Sequence, residues 1–420
     1  MEWKDLEKEF IRCTKCGFCQ AVCPLFLELH SEASVARGKV ALMKAAFKGN
    51  IEPTPEFIEK MALCLNCKAC VVNCPSKTPV VDLILKTRQK MAEDKGLPLM
   101  KRIAFRLALK HRKLFDLSMK MAPMFQGLAL KATDKKEGAL PRLPMGIDMK
   151  RLLSPVADKP LRSMYPERVT VDNPRATVAF FTGCTINYIY PEIGAAIVEV
   201  LKKNSINVVI PAEQHCCGTP AYANGDTITA IELARATVDK LSIPGIDAVI
   251  NGCGSCGYAI RHDYAKLLKN EPGYADKVTH LADKTFDFSE YLVKMGLQGD
   301  LKPVKRIVTY HESCHLTRGQ GIKSQPRTLM TQIPGVVLKE MTKPGQCCGM
   351  AGSFSLTHYE LSRKINQRKI DDIASTGADT LVTGCPGCVM HIRDGIFQNN
   401  LKVEVMHIAQ LLNESYKESC

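Results

Sequence analysis

No run of 18 or more uncharged apolar residues occurs in this 420-residue chain, so no segment is apolar enough to cross a bilayer as a helix. The opening stretch MEWKDLEKEF is acidic and lacks the apolar core of a signal peptide. Both absences predict a cytoplasmic protein that stays out of the secretory route. The chain has no P-loop and no flavin-binding motif, so a flavin, if the chemistry needs one, sits on another polypeptide. No cysteine lies between residues 75 and 183, and that gap predicts a domain boundary. Acidic residues are in deficit, 43 against 57 Lys and Arg, for a formal charge of +14.

What is present is ordinary in bulk: 45% hydrophobic and 24% charged residues describe a globular chain, long enough for two or three domains. The positive charge admits nucleic acid, an anionic membrane surface or an acidic protein as partner. Metal-bound thiolates shrink that excess: a cubane with four of them carries roughly two negative charges, and two cubanes bring the chain to about +10. No nucleic-acid partner is expected. The nineteen cysteines are an odd number, and in a reducing compartment thiols are more often metal ligands than disulfides.

Eight of them fall in two runs: Cys13, Cys16, Cys19 and Cys23 before Pro24, then Cys64, Cys67, Cys70 and Cys74 before Pro75. Three thiolates in C-x2-C-x2-C spacing wrap one corner of a [4Fe–4S] cubane, while the fourth, set off by an extra residue and a proline, reaches the other cluster. The spacing therefore predicts one cubane on Cys13, Cys16, Cys19 and Cys74, and a second on Cys64, Cys67, Cys70 and Cys23. Zinc shares the paired C-x2-C spacing but has no use for a third close cysteine followed by C-P. Leu, Val, Ile and Met at helical spacing over 36–48 and 79–93 predict a small helical domain around these runs.

Ten later cysteines form a second pattern, and it occurs twice. Cys184, the pair Cys216 and Cys217 before Gly218, and Cys253 with Cys256 are repeated as Cys314, Cys347 and Cys348 before Gly349, and Cys385 with Cys388. The offsets are 130, 131 and 132 residues, which marks a duplicated module. Strand-like runs TVAFFTG, NVVIP and DAVIN in the first copy, and RIVTYH, VVLKE and DTLVTG in the second, alternate with helical stretches and predict two α/β units with parallel sheets. Five thiolates from three loops suit a multinuclear metal centre; the alternative is buried, inert thiols left by duplication.

Gly252, Gly254 and Gly257 spell G-x-G-x-x-G after DAVIN, a superficial match to a dinucleotide fingerprint. The second copy reads GCPGC, with Pro386 in place of the middle glycine, so tight turns for the ligand loops are the preferred role of these glycines. His215, His311 and His315 adjoin the cysteine loops and are placed either as hydrogen-bond donors to cluster sulfur or proton relays, or as structural residues. Cys420 stands outside both patterns, and no catalytic residue is assigned.

Residues 98–133 hold eight Lys and Arg against one acid, Asp116, with apolar residues interleaved. They read either as an interfacial helix on anionic lipid or as a basic helix packed on this chain or a partner subunit. Residues 134–175, rich in Pro, Lys and Asp, read as an extended linker. The organisation expected is an α+β multidomain chain: a helical two-cluster ferredoxin-like domain over 1–95, a basic helical linker over 96–175, and duplicated α/β modules over 176–300 and 301–420.

The stretches CTKCGFCQAVCP and CLNCKACVVNCP, with the doubled Cys-Cys-Gly module, resemble the CCG-domain iron–sulfur family over nearly the whole chain. That family includes the iron–sulfur subunits of glycolate oxidase, D-lactate dehydrogenases and anaerobic glycerol-3-phosphate dehydrogenase, and the D-type heterodisulfide reductase subunit. SVARGKVALMKAAFKGN looks most like the glycolate oxidase subunit. The resemblance implies an oxidoreductase subunit that takes electrons from an FAD-containing dehydrogenase subunit or an electron-transfer flavoprotein and passes them to a quinone or other acceptor. It also implies one or two further clusters, of the noncubane [4Fe–4S] kind, on the five cysteines of each module. Both copies are complete here, whereas many glycolate oxidase subunits carry a degraded one. A heterodisulfide-reductase-type active site therefore remains the alternative.

Overall fold

A computed structural model describes residues 3–133, 138–143 and 146–417, without the side chains of residues 3–5; Cys420 lies outside the described residues. The N-terminal part is helical, as its periodicity predicts. Helices Ala36–Phe47, Pro55–Ala62 and Val80–Lys95 close over Leu6, Phe10, Val40, Met43, Phe57, Met61, Leu83 and Ile84. Thr54 starts the second of these by accepting from the Phe57 amide at 3.2 Å, with Pro55 in the first turn, where its missing N–H costs nothing.

The strands are β1 (Leu130–Ala132), β2 (Ala139–Pro141), β3 (Arg168–Val169), β4 (Ala176–Phe181), β5 (Ile206–Val209), β6 (Ala248–Asn251), β7 (Thr285–Asp287), β8 (Arg306–His311), β9 (Val336–Leu338), β10 (Thr380–Thr383) and β11 (Glu404–His407). One sheet runs β3-β5-β4-β6-β7 and the other β11-β10-β8-β9. All six strand-like runs of the sequence are strands. The edge strands β3, β7 and β11 are not visible in sequence because two to four residues are too few to show a period. β3 pairs antiparallel with β5, so the first sheet departs from the all-parallel expectation; the second sheet is parallel throughout.

The two modules share a core. Helix Pro191–Lys203 of the first packs on Ile408–Tyr416 of the second, and Phe288–Met295 of the first packs on Gln325–Thr331 of the second. These pairs are the same contact seen from the two sides of a pseudo-twofold axis. Val178, Ile197, Leu201 and Phe288 thereby join Val308, Leu329, Leu381 and Leu412 in one buried cluster.

The segment read as an extended linker is instead a strap along the surface of both modules. Leu161 is fully buried in the shared core, Arg151 is buried and donates to the Ser355 hydroxyl at 3.0 Å, and the Leu152 amide donates to Asp394 at 2.9 Å. Before it, Phe105 is buried against the first module while Arg106 and Lys110 pair with Asp226 and Glu232. Helix Arg112–Ala129 contrasts with this: none of its residues is buried.

Gly225 holds the N-terminal domain to the first module. Its φ is +89°, and a Cβ there would lie 2.4 Å from the Arg88 carbonyl. Gly225→Ala should cost about 1–2 kcal/mol from the left-handed backbone alone, and the clash adds to it. Hydrogen exchange should rise at residues 61–64 and 223–226 and stay unchanged in helix Ile408–Tyr416; equal exchange in both places would show that this contact does not hold the domains.

Candidate metal centre

Each module presents its thiols at the carboxyl ends of parallel strands, where open α/β sheets bind their ligands. Cys184 and Cys253 follow β4 and β6; Cys314 and Cys385 follow β8 and β10. The paired cysteines sit on the loops after β5 and β9. Each pair is followed by a glycine in the left-handed region, Gly218 at φ 81° and Gly349 at φ 90°. At Gly349 a Cβ would also meet the Ser362 carbonyl at 2.7 Å, so glycine is required there by conformation and by space.

These loops draw the ten sulfurs into a line. In the first module Cys184 contacts Cys216, which contacts Cys217, then Cys256 and Cys253. In the second the same order runs Cys314, Cys347, Cys348, Cys388, Cys385, with 3.7 Å between the sulfurs of Cys348 and Cys388. Cys253 meets Cys385 across the module boundary, and Cys347 meets Cys67 of the N-terminal domain. All ten thiols, with Cys64, line one cavity of about 710 Å³. Small-molecule sites span roughly 300–1,000 Å³.

Neighbouring thiols polarise one another. Cys184, Cys217, Cys348 and Cys385 are held below the ordinary thiol range by hydrogen bonds from adjacent thiols, and Cys216, Cys256, Cys347 and Cys388 are pushed well above it by the same bonds and by burial. The modules differ at one point. A ring nitrogen of His311 and the sulfurs of Cys348 and Cys388 lie within 4.8 Å of one another, whereas the first module has Phe181 at the matching strand end.

The N-terminal runs form two neighbourhoods that cross between them. Cys23 lies in the field of Cys67 and Cys64, and burial pushes its thiol up to about 11. Cys70 feels Cys64, Cys67 and Cys23, and after them Cys19 of the first run, and Cys19 feels Cys13. The tail of the second run returns to the first through Asn73 Nδ2 on the Phe18 carbonyl at 2.8 Å and Thr14 beside Ser76 at 3.3 Å. Lys15 and Asn66, and Gly17 and Lys68, occupy equivalent positions in the two runs, and all four are left-handed; such residues turn backbone amides inward as anion nests do. The second loop is wedged between domains: His315 contacts the Asn66 carbonyl at 3.0 Å, Arg318 donates to the Cys67 carbonyl at 2.9 Å, and Lys68 lies 4.1 Å over the Tyr258 ring.

Residues 178–261 and 308–393 match the family described as "Cysteine-rich domain", and residues 9–78 match "4Fe-4S dicluster domain". The chain is 32% identical to the "Probable glycolate oxidase iron-sulfur subunit" of Bacillus subtilis (strain 168), over 97% of this chain and 94% of that protein. It belongs to the CCG-domain iron–sulfur oxidoreductase subunits. Two further relatives match part of its length. One of the subunits of "Fumarate reductase (CoM/CoB)" from Methanothermobacter marburgensis is 34% identical over 59% of this chain and 48% of that protein; "Lactate utilization protein A 2" of Bacillus mycoides is 32% identical over 56% and 98%.

The donor set of this CCG subunit fits iron–sulfur chemistry. Among the described residues all eighteen cysteines are free, and soft sulfur donors gathered in two fives, with two further runs of four in the N-terminal domain, suit Fe–S groups. Once bound, such groups supply one-electron transfer at potentials set by charge, hydrogen bonds and exposure. The glycines of the false dinucleotide fingerprint serve packing, not tight turns: none of the three has a positive φ. A Cβ at Gly254 would come 3.2 Å from Leu316, and one at Gly257 would come 2.9 Å from Gln320, both residues of the opposite module.

Of the three histidines singled out, His311 reaches the second thiol set and His315 lines the cavity, while His215 is not among its lining residues. Sequence reading passed over Arg88, Lys101 and His358, which also line it; Arg88 and Lys101 stand among other charged residues, so nothing in the sequence sets them apart.

The crossed neighbourhoods predict that Cys23→Ser behaves like Cys64→Ser and unlike Cys16→Ser. In electron paramagnetic resonance of the dithionite-reduced chain, the first two should lose the same cubane signal. Loss of the Cys16-type signal in Cys23→Ser would disprove the crossing.

Proposed function

We propose that this CCG subunit is the electron-transfer arm of a flavin-dependent 2-hydroxyacid dehydrogenase of glycolate or D-lactate type. In this reading Cys13, Cys16, Cys19 and Cys74 hold one cubane, and Cys64, Cys67, Cys70 and Cys23 the other. Cys184, Cys216, Cys217, Cys253 and Cys256 hold a third cluster, and Cys314, Cys347, Cys348, Cys385 and Cys388 a fourth. The observation that carries it is the unbroken line of sulfur contacts from Cys67 through Cys347 to Cys184. An FAD-containing partner or an electron-transfer flavoprotein supplies electrons, and a quinone or another acceptor takes them. The wedged second loop keeps the N-terminal ligands in touch with the module ligands, and the buried module loops keep water from them.

One observation favours a second reading, a disulfide reductase. The cavity opens between the two five-thiol sets, where a disulfide would reach both. Its cleavage consumes two electrons from the partner donor and two protons, and releases two thiols. The experiment that separates the readings adds disulfides to the dithionite-reduced chain under electron paramagnetic resonance. The relay predicts no thiol-dependent signal, and cluster reduction only when the flavoprotein and its hydroxyacid are present. A thiol-dependent signal abolished by Cys347→Ser or Cys348→Ser, with the cubane signals intact, establishes the reductase instead.

Helix Arg112–Ala129 supplies the docking face for that partner. Arg112, Asp116 and Gln126 face inward: Arg112 pairs with Asp116 at 2.7 Å, and Gln126 bonds both polar groups of the Val156 backbone at 2.9 and 3.1 Å. Its apolar residues Leu114, Leu117, Met121, Met124 and Leu128 are exposed at alternating spacings of three and four, the seam of a helix that packs on another helix. Lys113 and Lys120 precede alternate seam positions, Leu114 and Met121, where an acidic partner helix answers them; a second copy of this chain would meet them with Ser118 and Phe125. No helix among the described residues is long and apolar enough to cross a membrane. Leu117→Glu with Met121→Glu should weaken binding of the FAD-containing subunit at least tenfold by analytical ultracentrifugation while leaving the iron content unchanged. Unchanged binding, with loss of salt-sensitive attachment to anionic vesicles, would assign the face to lipid.

A further inference from the structure

Two cations are set into the protein beside the second cysteine run. Lys39 is 2% exposed, and its ammonium donates to the Ser34 carbonyl at 2.8 Å and the Leu63 carbonyl at 2.6 Å. The Arg88 guanidinium donates to the carbonyls of Met61, Ala62, Cys64 and Ala223 at 2.7–3.0 Å. Among the described residues neither has a carboxylate partner. They repel one another, and the charges that offset the repulsion belong to sulfur: Cys64, Cys23 and Cys70 for Lys39, and Cys64 for Arg88. Two like charges out of water with no anion between them are strongly unfavourable. The arrangement is complete only with a resident negative group on the second run.

The first run is treated differently, although its own cation comes from the same short stretch of sequence. Arg37 donates to the Lys15 carbonyl at 3.0 Å and lies in the field of Cys19 and Cys16, but it is paired with Glu32 at 2.6 Å and is partly exposed. Glu32 cancels its charge and solvent screens the remainder. Cys16 is exposed, while Cys67 is buried. One run therefore faces a neutralised ion pair at the surface, and the other faces Lys39 and Arg88 uncancelled in the interior, with Arg318 on its Cys67 carbonyl at the domain boundary.

We propose that Lys39 and Arg88 are fixed counter-charges for the cluster of the second run, and that they set its reduction potential above that of the first-run cluster. This rests on the crossed ligand sets proposed above. Reduction adds one electron and hence one negative charge, which a cation in a low-dielectric surrounding stabilises far more than a screened one. The consequence is a direction. Electrons arriving at the exposed first run collect at the second, beside Cys67 and the cavity.

The test is a potentiometric titration of the full-length chain, purified anaerobically and followed by electron paramagnetic resonance. The native chain should show two cubane potentials. Lys39→Gln should lower only the higher one, by at least tenfold in the reduction equilibrium, which is 59 mV for a one-electron couple; Lys39→Arg should restore it. Glu32→Gln, a surface change that frees the charge of Arg37, should raise only the lower one. The proposal is overturned if Lys39→Gln leaves both potentials in place or lowers the lower one. Should Lys39→Gln fail to assemble its cluster, Glu32→Gln still decides: a shift in the higher potential, or none, overturns the assignment. Zinc in place of iron, or the absence of both cubane signals from the native chain, would sink the ligand sets themselves and is distinguishable from either result.

Discussion

The meeting of Cys253 with Cys385 depends on how the two modules pack, and most of the site depends on that meeting. Each module brings helices against their counterparts across a pseudo-twofold axis, so the carboxyl ends of two parallel sheets point at one place. Gly254 and Gly257 let the helix after Cys253 close on the helix that begins at Cys314, with Leu316 and Gln320 filling the space side chains would take. A methyl group at Gly254 would press on the Leu316 backbone and side chain across that junction at 3.2 Å. The strap from Arg151 to Leu161 lies across the same junction and holds it from outside.

Charge is distributed to match. The cavity side of the molecule gathers sulfur, and the cations near it, Lys39 and Arg88, are bonded to carbonyls and leave their charge uncancelled. Several cations elsewhere are paired with carboxylates, Arg106 with Asp226, Lys110 with Glu232, Lys266 with Asp82 and Arg368 with Glu28. The large formal charge of the chain thus partly reflects anions that the polypeptide alone does not contain. It is poor guidance to an external polyanion.

Duplication made the modules alike in backbone and allowed them to differ in one chemical detail. Both keep five thiols in the same order of contact and the same left-handed glycine after the cysteine pair. The second has an imidazole, His311, within 4.8 Å of two of its sulfurs, where the first has Phe181 at the matching strand end. The second is also the one whose sulfurs touch Cys67, while the first module meets the N-terminal domain through Gly225 and Lys266 instead.

The kinds of element, the helical N-terminal domain, the six central strands and the doubling of the module were all legible in the sequence. These follow from local spacing: a C-x2-C-x2-C run, a period of hydrophobic residues, and an offset of 130 to 132 residues need no knowledge of distant neighbours. The edge strands β3, β7 and β11 were hidden because two to four residues carry no period, while β9, also at an edge, was read from its apolar run. The strap was misread as a linker because proline and charge mark irregular backbone without saying what it lies against. The role of the glycines in GCGSCG was misjudged for the same reason, since the space they leave is taken by Ile197 at Gly252, Leu316 at Gly254, and Asn251 and Gln320 at Gly257. Spacing also determined which cysteines belong to one pattern. That the two patterns meet, Cys67 at Cys347 and Cys253 at Cys385, was decided only by tertiary packing, because contact between sulfurs on separate domains depends on how surfaces fit and not on the order of residues along the chain.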